Sequence, residues 1–376
     1  MHIVHVISGL HVGGAEIMLL KLLQGLDRSR FEVTVISLAD GGLISERIQD
    51  LNIKVYHLGM SSPLVAPVVL YRLFRLARIL QIDVIQGWMY HGNLAATLLA
   101  KWSKGSPALY WNIRHSLADL TRETKLIQFV IRLGSRWSRG PAKVIHNSAV
   151  SIDDHARIGY ARENTVMIPN GFDTAVFCPS IDSGKALRAR LGLNDDVRLI
   201  GTLGRRHEMK AQGDFIRAAS LLVEEFPDTH FVLAGKGVTL ADEELARLAS
   251  ETNVAGRIHL VGAQAAPAKY LAGLDVFCLS SVYGEGFPNV LGEAMSCGVP
   301  CVATDVGEAR TIVSEFGEVV PPGDPIALAA GIGRVLQMSD DGVLQLGQEC
   351  RRSIGERYHI ARIVGQYVGL YSAGRQ

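Results

Sequence analysis

Two successive series of alternating strand and helix patterns run through almost the whole chain and restrict what it can fold into. Short runs of β-branched and other apolar residues recur between stretches with helical spacing. Such alternation predicts parallel sheets covered by helices on both faces. The predicted strands are residues 2–7, 32–38, 53–57, 83–86, 107–112, 142–146 and 165–168 in the first series, and 197–203, 229–234, 257–261, 275–279 and 300–303 in the second.

A polar connection separates the two series. The run 168–173, Ile-Pro-Asn-Gly-Phe-Asp, is turn chemistry after a strand, and a polar stretch continues to about Asp196. A chain of 376 residues suits two domains of roughly 150–200 residues each. We therefore predict an α/β protein of two doubly wound domains, with a ligand-binding cleft at the carboxyl ends of the strands. The predicted helices are residues 14–26, 64–80, 92–103, 122–139 and 149–158, with helices near 325–336, 341–354 and 360–373 at the end of the chain.

Composition predicts a cytoplasmic globular protein. Hydrophobic residues make up 48% of the chain, which is enough for sizeable cores. The first residues, Met1 to Ile7, lack a basic segment and are expected to form a buried strand rather than a signal peptide. No apolar run approaches the roughly 18–20 residues of a membrane span. The five cysteines have no metal-type spacing, so we expect reduced thiols in the core.

Charge is divided unevenly between the two halves. Residues 1–170 contain 19 Lys and Arg against 12 Asp and Glu, which leaves 19 against 25 for the rest of the chain. The two halves are therefore expected to face different partners, or one of them to face an anionic surface.

The most informative motif lies at a predicted junction between a loop and a helix. Residues 284–295 read Gly-Glu-Gly-Phe-Pro-Asn-Val-Leu-Gly-Glu-Ala-Met. The two glycines permit a sharp turn and Pro288 suits the first turn of a helix. Glu285 is then expected in the loop and Glu293 on the same side of the following helix. Free N–H groups and two acceptor carboxylates together favour a ligand with both phosphate and hydroxyl groups, such as a sugar nucleotide.

This motif, with the Ala-Met-Ser-Cys-Gly-Val-Pro that ends at residue 300, resembles the signature of family-four retaining glycosyltransferases. The resemblance covers nearly the whole chain and implies the GT-B fold, with two Rossmann-like domains facing each other across a cleft. It implies an acceptor-binding domain at 1–172 and a nucleotide-sugar-binding domain at 173–355. Residues 356–376 are then expected to cross back to the first domain.

A glycine loop follows the first predicted strand. The sequence Gly-Leu-His-Val-Gly-Gly-Ala-Glu at 9–16 permits a backbone to approach a phosphate closely. Its G-x3-G-G spacing differs from the dinucleotide fingerprint, and the second strand ends without an acid for a ribose, so a nicotinamide dehydrogenase is disfavoured. The resemblance implies that Gly13 and Gly14 face the donor phosphates.

Two cations follow the first strand of the second domain. Arg205 and Lys210 together would neutralise a diphosphate and the negative charge that develops as it leaves. Related sequences have a matching Arg and Lys, which the resemblance places at the donor. The usual Lys-Gly is replaced here by Lys210-Ala211.

The resemblance assigns further roles around the donor. Glu293 would accept hydrogen bonds from the ribose, while Glu285 and His91 would lie near the transferred sugar. Gly286, Phe287, Asn289 and Val290 are expected to belong to the donor-binding site. The mechanism of the family is described as front-face substitution, in which the leaving phosphate helps to deprotonate the acceptor, so neither glutamate is assigned as a nucleophile. The segment 114–116 (Arg-His-Ser) follows the predicted strand 107–112 and is a candidate to contact acceptor or donor. The segment 307–310 (Gly-Glu-Ala-Arg) occupies a place where related sequences often have Gly-Gly followed by a Glu, which the resemblance implies is on the donor side.

No metal is expected, and an anionic membrane is the expected surface partner. The chain has no D-x-D triplet and no cluster of ligand residues with metal-type spacing. The predicted helix 122–139 places Arg122, Lys125, Arg132, Arg136 and Arg139 within about a 100° arc beside apolar residues. Helix 68–80 adds Arg72, Arg75 and Arg78. Such helices suit a lipid-phosphate acceptor at a membrane. Nucleic acid is not expected as a partner, because the sequence has no basic stripe interleaved with stacking aromatic residues.

These observations predict a metal-independent retaining hexosyltransferase of bacterial surface polysaccharide or glycolipid biosynthesis. Its donor would be a nucleoside-diphosphate sugar and its acceptor a glycan or a polyprenyl or other lipid-linked sugar. Two alternatives remain open on the same fold: a sugar-nucleotide epimerase or hydrolase, and a partner subunit that binds sugar nucleotide without transferring it.

Overall fold

The computed structural model describes residues 1–117, 119–251 and 253–374. The chain divides into two compact units. The N-terminal unit comprises Met1–Gly171 and the chain from Ile360 onward, and the C-terminal unit comprises Phe172–His359. The ligand-binding roles assigned to the two domains stay predictions.

The N-terminal unit is built on a seven-stranded parallel sheet with the order β3-β2-β1-β4-β5-β6-β7. Each strand predicted in the first series is present, because buried β-branched runs between turns specify strands locally. The strands are β1 His2–Ile7, β2 Glu32–Ser37, β3 Lys54–His57, β4 Val84–Trp88, β5 Ala108–Ile113, β6 Lys143–His146 and β7 Thr165–Met167.

Helices cover both faces of this sheet. They are α1 Gly14–Gly25, α2 Leu43–Gln49, α3 Ala66–Ile79, α4 Met89–Trp102, α5 Lys125–Trp137 and α6 Ala149–Arg157, with 3-10 turns at Pro63–Val65 and Leu120–Arg122. Helices α1 and α2 share a core on one face, whereas α3, α4 and α5 pack on the other. The helix predicted over 122–139 was too long at its start, because the Thr124 hydroxyl accepts a hydrogen bond from the Ile127 N–H and caps α5 there.

The C-terminal unit contains a six-stranded parallel sheet with the order β10-β9-β8-β11-β12-β13. Its strands are β8 Arg198–Leu203, β9 Thr229–Ala234, β10 Ile258–Gly262, β11 Val276–Leu279, β12 Cys301–Thr304 and β13 Gly317–Val320. Its helices are α7 Ile181–Leu191, α8 Gln212–Leu222, α9 Glu243–Glu251, α10 Pro267–Leu271, α11 Asn289–Ser296, α12 Ala309–Val313, α13 Pro325–Leu336 and α14 Asp340–Tyr358, and a 3-10 turn spans Glu208–Lys210.

No residue ranges were predicted for helices α7, α8, α9, α10 and α12 or for strand β13 of the C-terminal unit. Helix α7 lies in the stretch interpreted as a polar connection, where the Ser180 hydroxyl caps it by accepting from the Ser183 N–H. Strand β13 has one buried residue among four and therefore gives little apolar signal.

The last helix, α15 Ile360–Ala373, belongs to the N-terminal unit and packs against α1. A side chain at Gly25 would lie 2.7 Å from Val364, so glycine allows the two helices to approach closely. Tyr367 and Tyr371 are fully buried, and the Tyr110 hydroxyl donates to the Leu370 carbonyl at 2.6 Å. Among the helices in the described residues, none combines the length and apolar character that a membrane crossing requires.

In each sheet the strand order reverses beside the first strand of the unit. In the N-terminal unit β1 lies between β2 and β4, and in the C-terminal unit β8 lies between β9 and β11. Doubly wound sheets bind ligands at the carboxyl ends of the strands beside such a reversal. The segments that follow β1, β4, β8 and β11 are therefore where a ligand-binding site is expected.

Candidate functional site

Two neighbouring arginines follow β8, and only one is committed to ion pairs. The Arg206 guanidinium donates to Asp242 at 2.8 Å and also contacts Glu244. The Arg205 side chain is exposed and has no acidic partner among the described residues. Its backbone carbonyl accepts from the Gln212 side-chain amide at 2.9 Å, which fixes the loop before α8. Arg205 is thus the arginine available to an anionic ligand.

Lys210 and Glu285 meet because β8 pairs directly with β11, so the loops that follow these strands are neighbours. The Lys210 Nζ lies 2.5 Å from Glu285 Oε1, and the Ser281 hydroxyl donates to the same oxygen at 2.7 Å. Backbone contacts hold the two loops together, since the Val282 N–H donates to the Met209 carbonyl at 2.9 Å. The structure therefore brings together two of the residues predicted for the site.

The glycines around Glu285 are required by close packing. Gly284 has φ +75°, and a side chain there would collide with Met209. Gly307 has φ +56°, and a side chain there would collide with the carbonyl oxygens of Glu285 and Gly286. The segment 307–310 thus lies directly against the Glu285 loop, and the Glu308 N–H donates to the Gly286 carbonyl at 3.0 Å.

Ala211 occupies the position for which the family resemblance implied glycine. Its φ is +45° and its ψ +46°, the left-handed conformation that costs an L-residue about 1–2 kcal/mol. The departure from Lys-Gly therefore preserves the backbone turn into α8 at the expense of local strain. The position of Lys210 before that turn is retained.

The residues after Glu285 divide between the core and the surface of α11. Pro288 is the N-cap of the helix rather than part of its first turn. The Phe287 side chain is buried and its ring stacks on Phe172 at 6.1 Å, so only the backbone of Phe287 is available to a ligand. Val290 packs against the same core. Glu293 is half-buried near Cys297, whose thiol has its pKa raised to about 12 by burial, with smaller contributions from the Cys178 thiol and the Glu293 carboxylate.

The predicted residues of the N-terminal unit follow two paired strands. Ile7 of β1 pairs with Trp88 of β4, so the segments that carry Gly13 and His91 start side by side. Gly13 is the N-cap of α1, Gly14 is its first residue, and the Glu16 carboxylate folds back against Gly13. Burial raises the pKa of Glu16.

His91 lies in the first turn of α4, which is pressed against β1. A side chain at Gly92 would lie 2.6 Å from the Val6 carbonyl oxygen, so only glycine allows this approach. Met89 begins the helix with φ +61°, a strained conformation that occurs more often at functional sites. His91 is half-buried and burial lowers its pKa, which favours the neutral imidazole at pH 7.

Arg114 serves the interior of the N-terminal unit. Its guanidinium donates to Asn170 at 2.9 Å, to the Asn112 side chain at 3.0 Å and to the Tyr367 hydroxyl at 2.7 Å, and burial lowers its pKa. These bonds connect the end of β5 with the helix α15. The next residue, His115, is partly exposed, with its Nε2 3.9 Å from Glu123 Oε1.

Sequence reasoning missed the serines after β11. Ser281 donates to Glu285, and the Ser280 hydroxyl donates to the Lys210 carbonyl at 2.8 Å. The only available signal was a pair of hydroxyl residues at the end of a buried strand. Within the described ranges, no group of three or more His, Cys, Asp or Glu side chains is placed to hold a metal ion.

Comparison with known families identifies two domains in this chain. Residues 12–176 match the family model described as Glycosyltransferase Family 4, and residues 197–338 match the one described as Glycosyl transferases group 1. The fold is similar to that of Anabaena Alr3699/HepE in complex with UDP, with a TM-score of 0.86 and 22% sequence identity over 99% of this chain and 100% of that one. The prediction of two Rossmann-like domains of the GT-B type is confirmed.

Two curated relatives are similar over part of the chain. The UDP-Gal:alpha-D-GlcNAc-diphosphoundecaprenol alpha-1,3-galactosyltransferase of Escherichia coli is 30% identical over 210 residues, 54% of this chain and 53% of that protein. The phosphatidyl-myo-inositol mannosyltransferase of Mycolicibacterium smegmatis is 32% identical over 203 residues, 52% and 48% of the two chains. This chain thus matches about half the length of these relatives. From the two matched domains, the chain belongs to the glycosyltransferases that join a Glycosyltransferase Family 4 domain to a Glycosyl transferases group 1 domain.

Proposed function

We propose that this glycosyltransferase moves a sugar, with retention of anomeric configuration, from a nucleoside-diphosphate sugar to a lipid-linked or glycan acceptor of bacterial surface polysaccharide or glycolipid biosynthesis. One observation carries the proposal. At the reversal of strand order in the C-terminal unit, Arg205, which has no acidic partner among the described residues, accompanies the Lys210–Glu285 pair. This combination supplies cations for a diphosphate and an acceptor for sugar hydroxyls.

The cations would act mainly as the donor bond breaks. Arg205 and Lys210 would bind the diphosphate and stabilise its growing negative charge, so that no metal is needed for this purpose. Lys210 donates one of its three N–H groups to Glu285 and keeps the others for phosphate oxygens. Gly13 and Gly14 would cover the phosphates at the start of α1.

The remaining groups would position the sugar and the ribose. Glu293 would accept from the ribose hydroxyls, and the α11 start, with Gly286, Phe287, Asn289 and Val290, would supply backbone and polar contacts to the donor. Glu285 and His91 would contact the transferred sugar. A neutral His91 suits hydrogen bonding to a hydroxyl, and the leaving phosphate would accept the proton of the acceptor in a front-face substitution.

The acceptor is proposed to be lipid-linked because three helices on one face of the N-terminal unit carry cations and no acidic residues of their own. Helices α3, α4 and α5 contain no Asp or Glu. Their exposed cations and apolar side chains would contact anionic headgroups and the acyl boundary. The exposed apolar residues include Tyr71, Phe74, Ile79, Leu126 and Phe129, and the exposed cations include Arg75, Arg78, Lys125, Arg132 and Arg136. The Arg122 side chain lies outside the described part of the chain.

Product analysis would test the transferase assignment. UDP-, GDP- and ADP-sugars are incubated with the protein, with and without a bacterial lipid extract, and nucleoside-diphosphate release is measured. We expect release from one donor that rises sharply with the extract, and an α-linked product from an α-linked donor by NMR. Equal release without extract would favour a hydrolase or epimerase, and donor binding without any release would favour a silent partner subunit.

Vesicle sedimentation would test the membrane surface. The substitution Arg136→Glu on α5 should markedly weaken binding to vesicles that contain phosphatidylglycerol. Arg47→Glu is the matched control, because Arg47 is an exposed cation on α2, at the opposite face of the same sheet. Equal loss of binding in both variants would show that net charge, rather than this face, determines binding.

A further inference from the structure

We infer that Ser281 is a positioning residue that fixes Glu285, so that the second carboxylate oxygen of Glu285, Oε2, is presented to a hydroxyl of the donor sugar. The inference rests on the proposed function. It gives Ser281 a positioning role that acts through Glu285 and requires no contact between Ser281 and the donor. Ser281 follows β11 and is fully buried.

The Ser281 hydroxyl is held rigidly. It donates to Glu285 Oε1 at 2.7 Å, while the Ser281 carbonyl accepts from the Thr304 hydroxyl at 2.5 Å. Thr304 ends β12, and the same hydroxyl proton is shared more weakly with the Leu279 carbonyl at 3.2 Å. The donor to Glu285 is therefore anchored to two adjacent strands of the sheet rather than to a free loop.

The two oxygens of Glu285 are in different situations. Oε1 accepts hydrogen bonds from both the Lys210 Nζ and the Ser281 hydroxyl. Oε2 accepts no hydrogen bond from any described residue, and the side chain is 11% exposed. Because an ionised carboxylate can accept about four hydrogen bonds, Oε2 keeps its capacity for ligand hydroxyls while Oε1 is saturated by the protein.

Bonding to a carboxylate distinguishes Ser281 from other buried hydroxyls nearby. The Ser296 hydroxyl donates to the Gly292 carbonyl one turn back in α11, which is the usual partner of a helical serine. The Ser280 hydroxyl likewise donates to a carbonyl, that of Lys210. Only a bond to the Glu285 side chain sets the orientation of a group that would touch the sugar.

The test compares binding of nucleotides with binding of sugar nucleotides by calorimetry. The probes are the pairs UDP and UDP-glucose, UDP and UDP-galactose, GDP and GDP-mannose, and ADP and ADP-glucose. The variants are tested with the pair whose sugar nucleotide the wild type binds most tightly. We expect Ser281→Ala to weaken the sugar nucleotide about tenfold, as the loss of a hydrogen bond to a charged group predicts, and to leave the bare nucleotide unchanged. Ser296→Ala removes an equally buried hydroxyl and should change neither affinity.

A double-mutant cycle separates positioning from general damage. If Ser281 acts through Glu285, Ser281→Ala should have no further effect on sugar-nucleotide affinity in a Glu285→Ala background. Additive losses, or equal weakening of nucleotide and sugar nucleotide by Ser281→Ala alone, would overturn the inference. A wild type that binds none of the probes would instead refute the proposed function, and the inference would fail with it.

Discussion

Lys210 and Glu285, which are 75 residues apart in the sequence, form an ion pair with 2.5 Å between Nζ and Oε1. Their side chains are only 18% and 11% exposed, so water screens the pair weakly. Each charge is thereby compensated before a ligand arrives. In the proposed function, the remaining N–H groups of Lys210 and the Arg205 guanidinium would stabilise the anionic donor.

Removal of Lys210 should affect turnover more than any other change to a single cation. We expect Lys210→Ala to lower kcat/KM by about 10²–10³-fold, because a preorganised donor to the developing negative charge is lost. Nucleoside-diphosphate release under initial-rate conditions would measure this. Arg217→Ala should keep wild-type kinetics, because Arg217 is a surface cation that pairs with Asp214 of the same helix, α8. A fully active Lys210→Ala protein would remove Lys210 from the site.

The adjacent arginines should respond oppositely to substitution. Arg205→Ala should weaken donor affinity by roughly tenfold while the melting temperature stays near that of the wild type, since Arg205 makes no ion pair with a described residue. Arg206→Ala should cost roughly 1–2 kcal/mol of unfolding free energy and leave donor affinity unchanged, since Arg206 holds Asp242 and Glu244. Calorimetric titration and urea denaturation would separate the two effects. The reverse pattern would mean that Arg206 is the donor-binding arginine.

Ala211→Gly should stabilise the protein. Relief of the left-handed strain at Ala211 is worth about 1–2 kcal/mol, and the extra unfolded-state freedom of glycine offsets roughly 0.5–1 kcal/mol of it. Urea denaturation should therefore show a net gain. Ala186→Gly in the middle of α7 should be destabilising by about 1 kcal/mol, because Ala186 is exposed and helical. Destabilisation by both changes would contradict the strained geometry.

Stability should fall as the pH drops below about 6.5. Burial lowers the pKa of His5 and His146 to about 3 and that of His155 to about 4, from an ordinary value of 6.5. The unfolded chain therefore binds more protons than the folded one between these values, and acid favours unfolding. Each histidine contributes a slope of up to about 1.4 kcal/mol per pH unit. Unfolding free energies measured at pH 7.5, 6 and 5 would test this, and His146→Gln should reduce the slope.

Chelation should leave the reaction unaffected. With Arg205 and Lys210 to neutralise the diphosphate, excess EDTA is expected to leave nucleoside-diphosphate release at its initial rate. An inactive metal-free protein that recovers on addition of Mg²⁺ or Mn²⁺ would contradict the proposed metal-independent mechanism. Added Ca²⁺ at the same ionic strength controls for general effects of divalent charge.

The sequence alone predicted the strands of both sheets with few omissions. Buried β-branched runs bounded by Gly, Pro and Asn specify a strand from its own residues, whereas the short β13, with little buried surface, does not. The same local chemistry placed Glu285 in a loop before α11 and His91 at the start of α4, because turn glycines and helix starts are read from adjacent residues.

Tertiary structure alone decided how these residues are used. Only the pairing of β8 with β11 brings Lys210 to Glu285. Only packing directs Arg206 to Asp242, while Arg205 pairs with no acidic residue in the described part of the chain. Likewise, the sequence does not distinguish Ser281 from any other serine at the end of a strand, whereas the packing of β11 against β12 fixes its hydrogen bond to Glu285. Residue identity and local turns determine which side chains each segment can contribute to a site. Which of these side chains meet depends on strand order, across separations such as the 75 residues between Lys210 and Glu285. Short-range sequence patterns do not encode that strand order.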